Sequence, residues 1–184
     1  MFIQTEETPN PATLKFLPGR EVLGTGSAEF LNPEDARQSP LAALLFDVPQ
    51  VAGVMLGPDF VTVTKTAEAD WPSLKVNVLS RLMDHFSHNR PIMLGDAPQS
   101  GHATADLGNE IVKQIIDILD QKIRPAVAQD GGDIVFSKFE EGVVYLRMKG
   151  SCAGCPSSTA TLKAGIENML RHYIPEVKEV RPAA

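Results

Sequence analysis

The sequence predicts an α+β protein of two small domains, each a small β-sheet packed against helices, joined by a flexible linker. Three observations lead there. Both halves mix short strand patterns with helical ones, and the second runs helix, strand, strand, loop, helix, strand, an order in which helices can cover one face of a small sheet. The chain has 184 residues, enough for two domains that would each be small and marginally stable alone. Finally, "NRPIMLGDAPQSGHATAD" (89–106) is rich in Gly, Pro, Ala, Ser and Asp, lacks periodicity and separates two helical patterns, which is linker composition. The expected division is 1–89 for the first domain, 90–105 for the linker and 106–184 for the second domain.

In the first domain, "MFIQTEE" and "TLKFLPG" flank the turn-rich "TPNP" and read as two strands of a hairpin. "SPLAALLFDV" reads as a short helix with Ser39 as N-cap and Pro40 in its first turn. "VAGVMLGPDFVTVTK" reads as two strands around the turn Gly57-Pro58-Asp59. "DWPSLKVNVLSRLMDHFSH" gives a longer helix capped by Asp70, with Trp71 anchoring its start. Leu74, Val78, Leu82 and Phe86 recur at helical spacing and form its core face.

The second domain opens with a helix, "DLGNEIVKQIIDILDQKIRPAVAQ", whose apolar stripe is traced by Ile111, Ile115, Ile118, Leu119 and Lys122–Ile123. Pro125 is expected to end or kink it, because the residue before a proline, Arg124, is pushed out of helical geometry. "DGGD" makes a tight turn on glycines that tolerate positive φ. "IVFSKFEEG" and "VVYLRMKG" are strands, the second with Val144, Leu146 and Met148 on one face and Tyr145, Arg147 and Lys149 on the other. "SSTATLKAGIENMLRHYIPEV" is a helix with Leu162, Ile166, Met169, Leu170 and Tyr173 inward, and "VKEV" is a last strand.

Charge and composition exclude several function classes. The net charge is −6, divided −4 and −2 between residues 1–95 and 96–184, so neither half offers the basic surface that nucleic acid demands. No apolar run reaches the ~20 residues needed to span a bilayer. The start, "MFIQTEETPNP", lacks the basic-then-apolar order of a signal peptide, giving the bacterial cytoplasm as address, or the mitochondrial matrix if a presequence has been removed. No nucleophile–base pair or carboxylate dyad is legible, so the protein reads as a non-enzyme.

The chemistry concentrates in "GSCAGCPSS" (150–158), which holds both cysteines of the chain, Cys152 and Cys155. Three residues apart, they could staple only a trivial loop. They lie where a strand ends and a helix begins, with Gly150 and Gly154 allowing sharp bends and Pro156 at the first helical position. The helix N-terminus favours thiolate, so the setting suits a working pair rather than two inert cysteines. Three readings follow. A thioredoxin-like dithiol uses this spacing, although too little chain follows here for that fold's remaining strands. Zinc needs four ligands, and His85, His88, His102 and His172 provide no second pair beside the loop, so zinc would have to be shared across a dimer. An iron–sulfur cluster also takes four thiolates, which two chains supply on a two-fold axis. Such a cluster would dissociate easily, which suits a carrier rather than a permanent electron-transfer centre.

At this point the sequence resembles a family. "RPAVAQDGGDI" (124–134), followed by a strand and "GSCAGCPSS", resembles the NifU C-terminal domain of the Nfu iron–sulfur proteins. "TPNPATLKFLPG" (8–19), "SPLAALLFDVPQVAGVM" (39–55) and "GPDFVTVTK" (57–65) resemble the Nfu N-terminal domain, in the family's order. The arrangement is similar to the mitochondrial and alphaproteobacterial type. The resemblance implies a [4Fe-4S] cluster bound by Cys152 and Cys155 of two chains in a homodimer. It implies receipt from an upstream assembly scaffold and delivery to apo iron–sulfur clients. The alternative is a thiol–disulfide redox protein using a Cys152–Cys155 disulfide.

Other residues read more plainly. Asp130 and Asp133 bracket the two glycines without the ligand pattern of a calcium loop, so turn formation is their expected role. His85 and His88 are expected at solvated or boundary positions rather than as a metal pair. Arg147 and Lys149 are expected as solvated strand residues, with compensation of cluster charge as the functional reading.

Overall fold

Short strands in the first half of the chain, the β-branched Val61–Lys65 at their centre, pair into one antiparallel sheet. Its strands are β1 (Gln4–Glu7), β2 (Thr13–Leu17), β3 (Ala28–Phe30), β4 (Val51–Leu56) and β5 (Val61–Lys65), in the order β1-β2-β5-β4-β3. This computed structural model describes residues 1–96, 102, 108–153 and 156–183, the side chains of 156–158 excepted. The chain divides into two units, Met1–Gln99 and Ser100–Ala184. The α+β reading with two small sheet-and-helix domains holds.

Both hairpins of the first unit form where the turn residues stand. Between β1 and β2, Asn10 Oδ1 accepts from the Ala12 amide at 3.0 Å and Thr8 Oγ1 donates to the Thr13 carbonyl at 2.8 Å. Between β4 and β5, the Gly57 amide donates to the Phe60 carbonyl at 2.8 Å. Helix α1 (Pro40–Phe46) is capped by Ser39, whose Oγ accepts from the Ala42 amide at 3.0 Å and donates to the Ile92 carbonyl at 2.6 Å. Helix α2 (Trp71–Ser87) is capped by Asp70, and Trp71 Nε1 donates to the Pro11 carbonyl at 2.9 Å. Leu74, Val78, Leu82 and Phe86 are buried against the sheet, as their spacing requires. Strand β3 and a 3₁₀ turn at Asp35–Gln38 carry no sequence signal, being too short for alternation or periodicity to show.

His85 departs from expectation. Its residue is 1% exposed, and Nε2 has no hydrogen-bond partner. The helical stripe explains this: Val78, Leu82 and His85 lie three or four residues apart, so His85 falls on the core face. His88 is exposed and its Nδ1 bonds the Asp84 carbonyl, so the two rings do not form a metal pair.

In the second unit, α3 (Glu110–Ile118) is capped by Asn109, then passes through a π turn (Leu119–Ile123) into α4 (Arg124–Gln129). The expectation that Arg124 leaves helical geometry is corrected, for its φ and ψ are −57° and −42°. The wider π turn makes room for the proline ring, and Pro125 occupies the first turn of α4, where its missing N–H breaks no helical bond. Val112, Ile115, Leu119 and Ile123 are fully or nearly fully buried. Ile111 and Ile118, expected on the same stripe, are only half-buried.

Strands β6 (Gly132–Glu140) and β7 (Val143–Gly150) form a hairpin through Glu141 and Gly142, both left-handed at φ 52° and 81°. Helix α5 (Pro156–Tyr173) then returns the chain to β8 (Glu179–Pro182), which pairs parallel to β7 and completes the order β6-β7-β8. Ile166 and Leu170 of α5 are buried, and Leu162 and Met169 pack against the core. Tyr173 is not inward but 50% exposed, with the Lys122 amine 5.5 Å from its ring centroid; Ile174 takes the core position. Among the described residues no helix is long and apolar enough to cross a membrane.

The ends of the stretch read as linker make contacts. Ile92 and Met93 pack on the first core, and the Leu94 amide donates to the Gln38 carbonyl at 2.8 Å. His102 bonds residues of the second unit. Residues 97–101 and 103–107, on which the flexible-linker reading also falls, lie outside the described residues.

Burial lowers the His85 pKa from its ordinary 6.5, so the folded unit holds the ring neutral. A depressed folded pKa gives stability that is complete above 6.5 and lost as pH falls through the lowered value. Urea unfolding followed by fluorescence of Trp71, the single tryptophan, should therefore show the first unit weakening below pH 6.5. His85→Leu should flatten that dependence while changing stability at pH 7 by no more than about 1 kcal/mol. An unchanged acid profile in the variant would contradict this.

Candidate metal centre at the cysteine loop

The loop that holds Cys152 is built on two strand ends that lack side chains. Gly132 begins β6, Gly150 ends β7, and the two are paired across the sheet. Gly150 has φ 66° and Gly131 has φ 77°, conformations that favour glycine, so the chain turns sharply at both ends of the pair. The Asp130–Asp133 turn and the cysteine loop are then laced together. The Ser151 amide donates to the Gly131 carbonyl at 3.2 Å, and Ser151 Oγ donates to the Asp130 carbonyl. From the start of α5, Thr159 Oγ1 donates to the Cys152 carbonyl at 2.8 Å.

These bonds set Cys152 into the core. It is 5% exposed and belongs to the same apolar cluster as Val127. A Cβ on Gly132 would stand 2.3 Å from Cys152 Sγ, 3.0 Å from the Lys149 carbonyl oxygen and 3.2 Å from Val127 Cγ1. The sulfur therefore uses the space that any other residue at 132 would fill. Gly132 is a packing requirement that the sequence conceals, because "DGGD" reads equally well as an ordinary turn.

The expectation of a ready thiolate is corrected at Cys152. Burial pushes its thiol up from 9.0 to about 11, the Ser151 hydrogen bond opposes this, and the Asp130 and Asp133 carboxylates add to it. Burial on the strand side of the loop, under the core, thus leaves this thiol still less ionised at neutral pH than an ordinary one. The favourable helix N-terminus was expected at Cys155, which with Gly154 lies outside the described residues.

Asp133 is 7% exposed and held by Arg124 through a two-pronged ion pair, Nε to Oδ1 and Nη2 to Oδ2, both 2.9 Å. Arg124 also reaches Asp120 at 3.1 Å, and the Asp133 hydrogen bond chiefly raises its already high pKa. Asp130 and Asp133 thus serve the turn, as expected, and the α4–β6 junction is pinned beside Gly132. Nothing in the spacing of Arg124 and Asp133 signals the pair; it depends on the π turn that rotates Arg124 towards β6. Arg147 is exposed and Lys149 half-buried. Among the described residues no three His, Cys, Asp or Glu side chains converge as a metal site.

Both units match families of known proteins. Residues 3–89 match the family described as scaffold protein Nfu/NifU N terminal, and residues 115–181 match the NifU-like domain. A human protein named NFU1 iron-sulfur cluster scaffold homolog, mitochondrial, is 49% identical over 181 residues, covering 98% of this chain and 71% of that one. A protein of the same name from Drosophila erecta is 50% identical over 181 residues, with 64% of its length covered. An Arabidopsis thaliana protein named NifU-like protein 4, mitochondrial, is 47% identical over 184 residues, with 65% of its length covered. The chain thus spans about two thirds of the length of these relatives.

A neutral, buried sulfur makes a kinetic prediction. In a Cys155→Ser chain, iodoacetamide at pH 8 should alkylate Cys152 about a hundredfold more slowly than in the same chain unfolded, since the raised pKa alone removes that much thiolate. Adding Gly132→Ala should displace the sulfur and raise the folded rate several-fold. Equal rates in the two folded chains would show that Cys152 does not depend on the space at Gly132.

Proposed function

The chain belongs to the Nfu family of iron–sulfur scaffold proteins, and on that premise we propose that it carries a [4Fe-4S] cluster between two copies of itself and delivers it to apo-proteins. The observation that carries this reading is the family match over both domains in order, with the strand-to-helix cysteine loop inside the second. Cys152 and Cys155 are the proposed ligands. Two thiolates per chain meet a need for four, and a two-fold axis is the simplest way to supply the rest. The cluster is cargo rather than a resident cofactor.

Cys152 Sγ is compatible with this role only if it leaves its place above Gly132. Cluster iron would displace the thiol proton as it binds, so a raised pKa slows ligation without preventing it. Thiol–disulfide exchange, the alternative, depends on free thiolate before reaction, and the neutral Cys152 supports it less well. In this reading the loop opens at the Thr159 and Ser151 hydrogen bonds, and a client thiolate then replaces one ligand at a time. No catalysed reaction is proposed.

The first unit contains no cysteine, so it is assigned no ligand. We assign it recognition of clients or of the donor scaffold, since holding a client beside the cluster raises its local concentration. The relatives' names favour a mitochondrial address over the bacterial cytoplasm, and in either reducing compartment free thiols persist.

Anaerobic incubation with iron and sulfide tests the ligands. The wild-type chain should retain iron with the visible absorption of a cluster, whereas Cys152→Ala and Cys155→Ala should each retain none and keep the apo circular dichroism. Iron retention by either variant would remove that cysteine from the ligand set. Transfer tests the division of labour. Residues 100–184 alone should deliver to a small generic acceptor at the full-length rate, but several-fold more slowly to a physiological client. Equal rates to that client would remove the recognition role from the first unit.

A further inference from the structure

A cleft of about 730 Å³ opens in the first unit between β1, the turn that follows it and the start of α2. That volume lies within the range of ligand-binding clefts. Register sets one of its sides. Thr5 and Glu7 stand opposite Phe16 and Leu14, which belong to the core, so both lie on the face of the sheet that packs on α2. Trp71, Pro72 and Lys75 line the other side. Helix α2 runs along β1 in the opposite sense. Trp71 at its start is tied to the Pro11 carbonyl beyond the end of β1. Near its end the Phe86 carbonyl accepts from Arg20, three residues beyond Leu17, the partner of Gln4.

Three features of this cleft point to one kind of occupant. Among the described residues β1 pairs with β2 alone, so alternate residues of Gln4–Glu7 turn their N–H and C=O groups away from the sheet. Such groups match an extended backbone, whereas those of a helix are already paired. Pro72, Val76, Leu79 and Met83 recur at helical spacing and form an apolar stripe on α2. Pro72 also lines the cleft, so the stripe continues it, yet Val76 is 66% and Met83 42% exposed. The stripe is about 16 Å long, the length of roughly five extended residues. Charge supplies the third feature. Glu6 points to the opposite face and pairs with Lys15 at 3.6 Å. Glu7 is exposed and, among the described residues, has no ion-pair partner; Lys75 across the cleft has none either. Two carboxylates on so short an edge repel a second copy of the same strand and favour a basic partner.

We propose that this cleft binds an extended segment of another protein by strand addition to β1, with apolar side chains along the α2 stripe and a basic one beside Glu7. Within the carrier reading such a segment belongs to a client or to the donor scaffold, and that assignment rests on the reading. Strand addition at β1 does not.

Emission of Trp71, the single tryptophan, reports on the cleft in the full-length apo chain. The probe is the blocked peptide Lys-Thr-Val-Thr-Val-Thr-Lys, which places two valines on one face with a base at each end. Its titration should give a saturable shift in Trp71 emission. Two further peptides carry N-methyl groups on the valine amides or on the threonine amides. One should bind about tenfold more weakly and the other unchanged, since only one set of amides faces β1. Glu7→Lys should weaken binding about fivefold at low salt, and Lys75→Glu should strengthen it by about the same factor. Val76→Ser should weaken it several-fold. Equal binding by the two methylated peptides would overturn strand addition. Charge variants that fail to act in opposite directions would overturn the basic partner, and an unaffected Val76→Ser would remove the α2 stripe from the site. An emission that the peptide does not move would overturn the whole proposal, and self-association of the chains through β1 would then assign the edge to a second copy. No readout involves iron, so failure here is distinguishable from failure of the carrier reading.

Discussion

Where Gly132 lacks a Cβ, the sulfur of Cys152 fits against the core, and the surrounding architecture serves to keep that contact in place. The pairing of Gly132 with Gly150 brings two side-chain-free strand ends together. Left-handed Gly131 and Gly150 turn the chain away on either side, and Ser151 ties the two turns to each other. Arg124 holds Asp133 one residue beyond Gly132, which it can do because a π turn carries the helix through Pro125 without breaking it. These features lie on α4, β6, β7 and the turns beside them, so the position of one sulfur is over-determined by several elements together.

Burial has a chemical consequence for Cys152. A thiol held neutral under the core is a poor nucleophile and a poor target for oxidation. In the proposed role, ligation by Cys152 requires the loop to open against the burial of its sulfur and against hydrogen bonds that include those from Thr159 and Ser151.

Much of this was legible in the sequence because short-range rules governed it. Ser39 and Asp70 are N-caps followed by proline or by tryptophan and proline, and both caps form. The alternation of Val144, Leu146 and Met148 identified the buried face of β7, and the 3.6-residue spacing from Leu74 to Phe86 identified that of α2. The failures arose where tertiary contacts decided. Arg124 stays helical because a π turn absorbs the proline, and no local rule anticipates that turn. Tyr173 gives up the inward position to Ile174 at the last turn of α5, where the helix ends and periodicity no longer applies. His85 keeps to the core stripe although its polarity argued for solvent. The cysteine spacing marked the site, but the burial of Cys152 depends on Gly132 twenty residues away, a relation that only the β6–β7 register creates.

The central claim is that two chains share one cluster through this loop. Native mass spectrometry of the reconstituted full-length chain measures it directly. The expected species is two chains plus the mass of four irons and four sulfides, falling to single apo chains when a chelator removes the iron. A single chain carrying the whole cluster, or iron bound without pairing of chains, would contradict it.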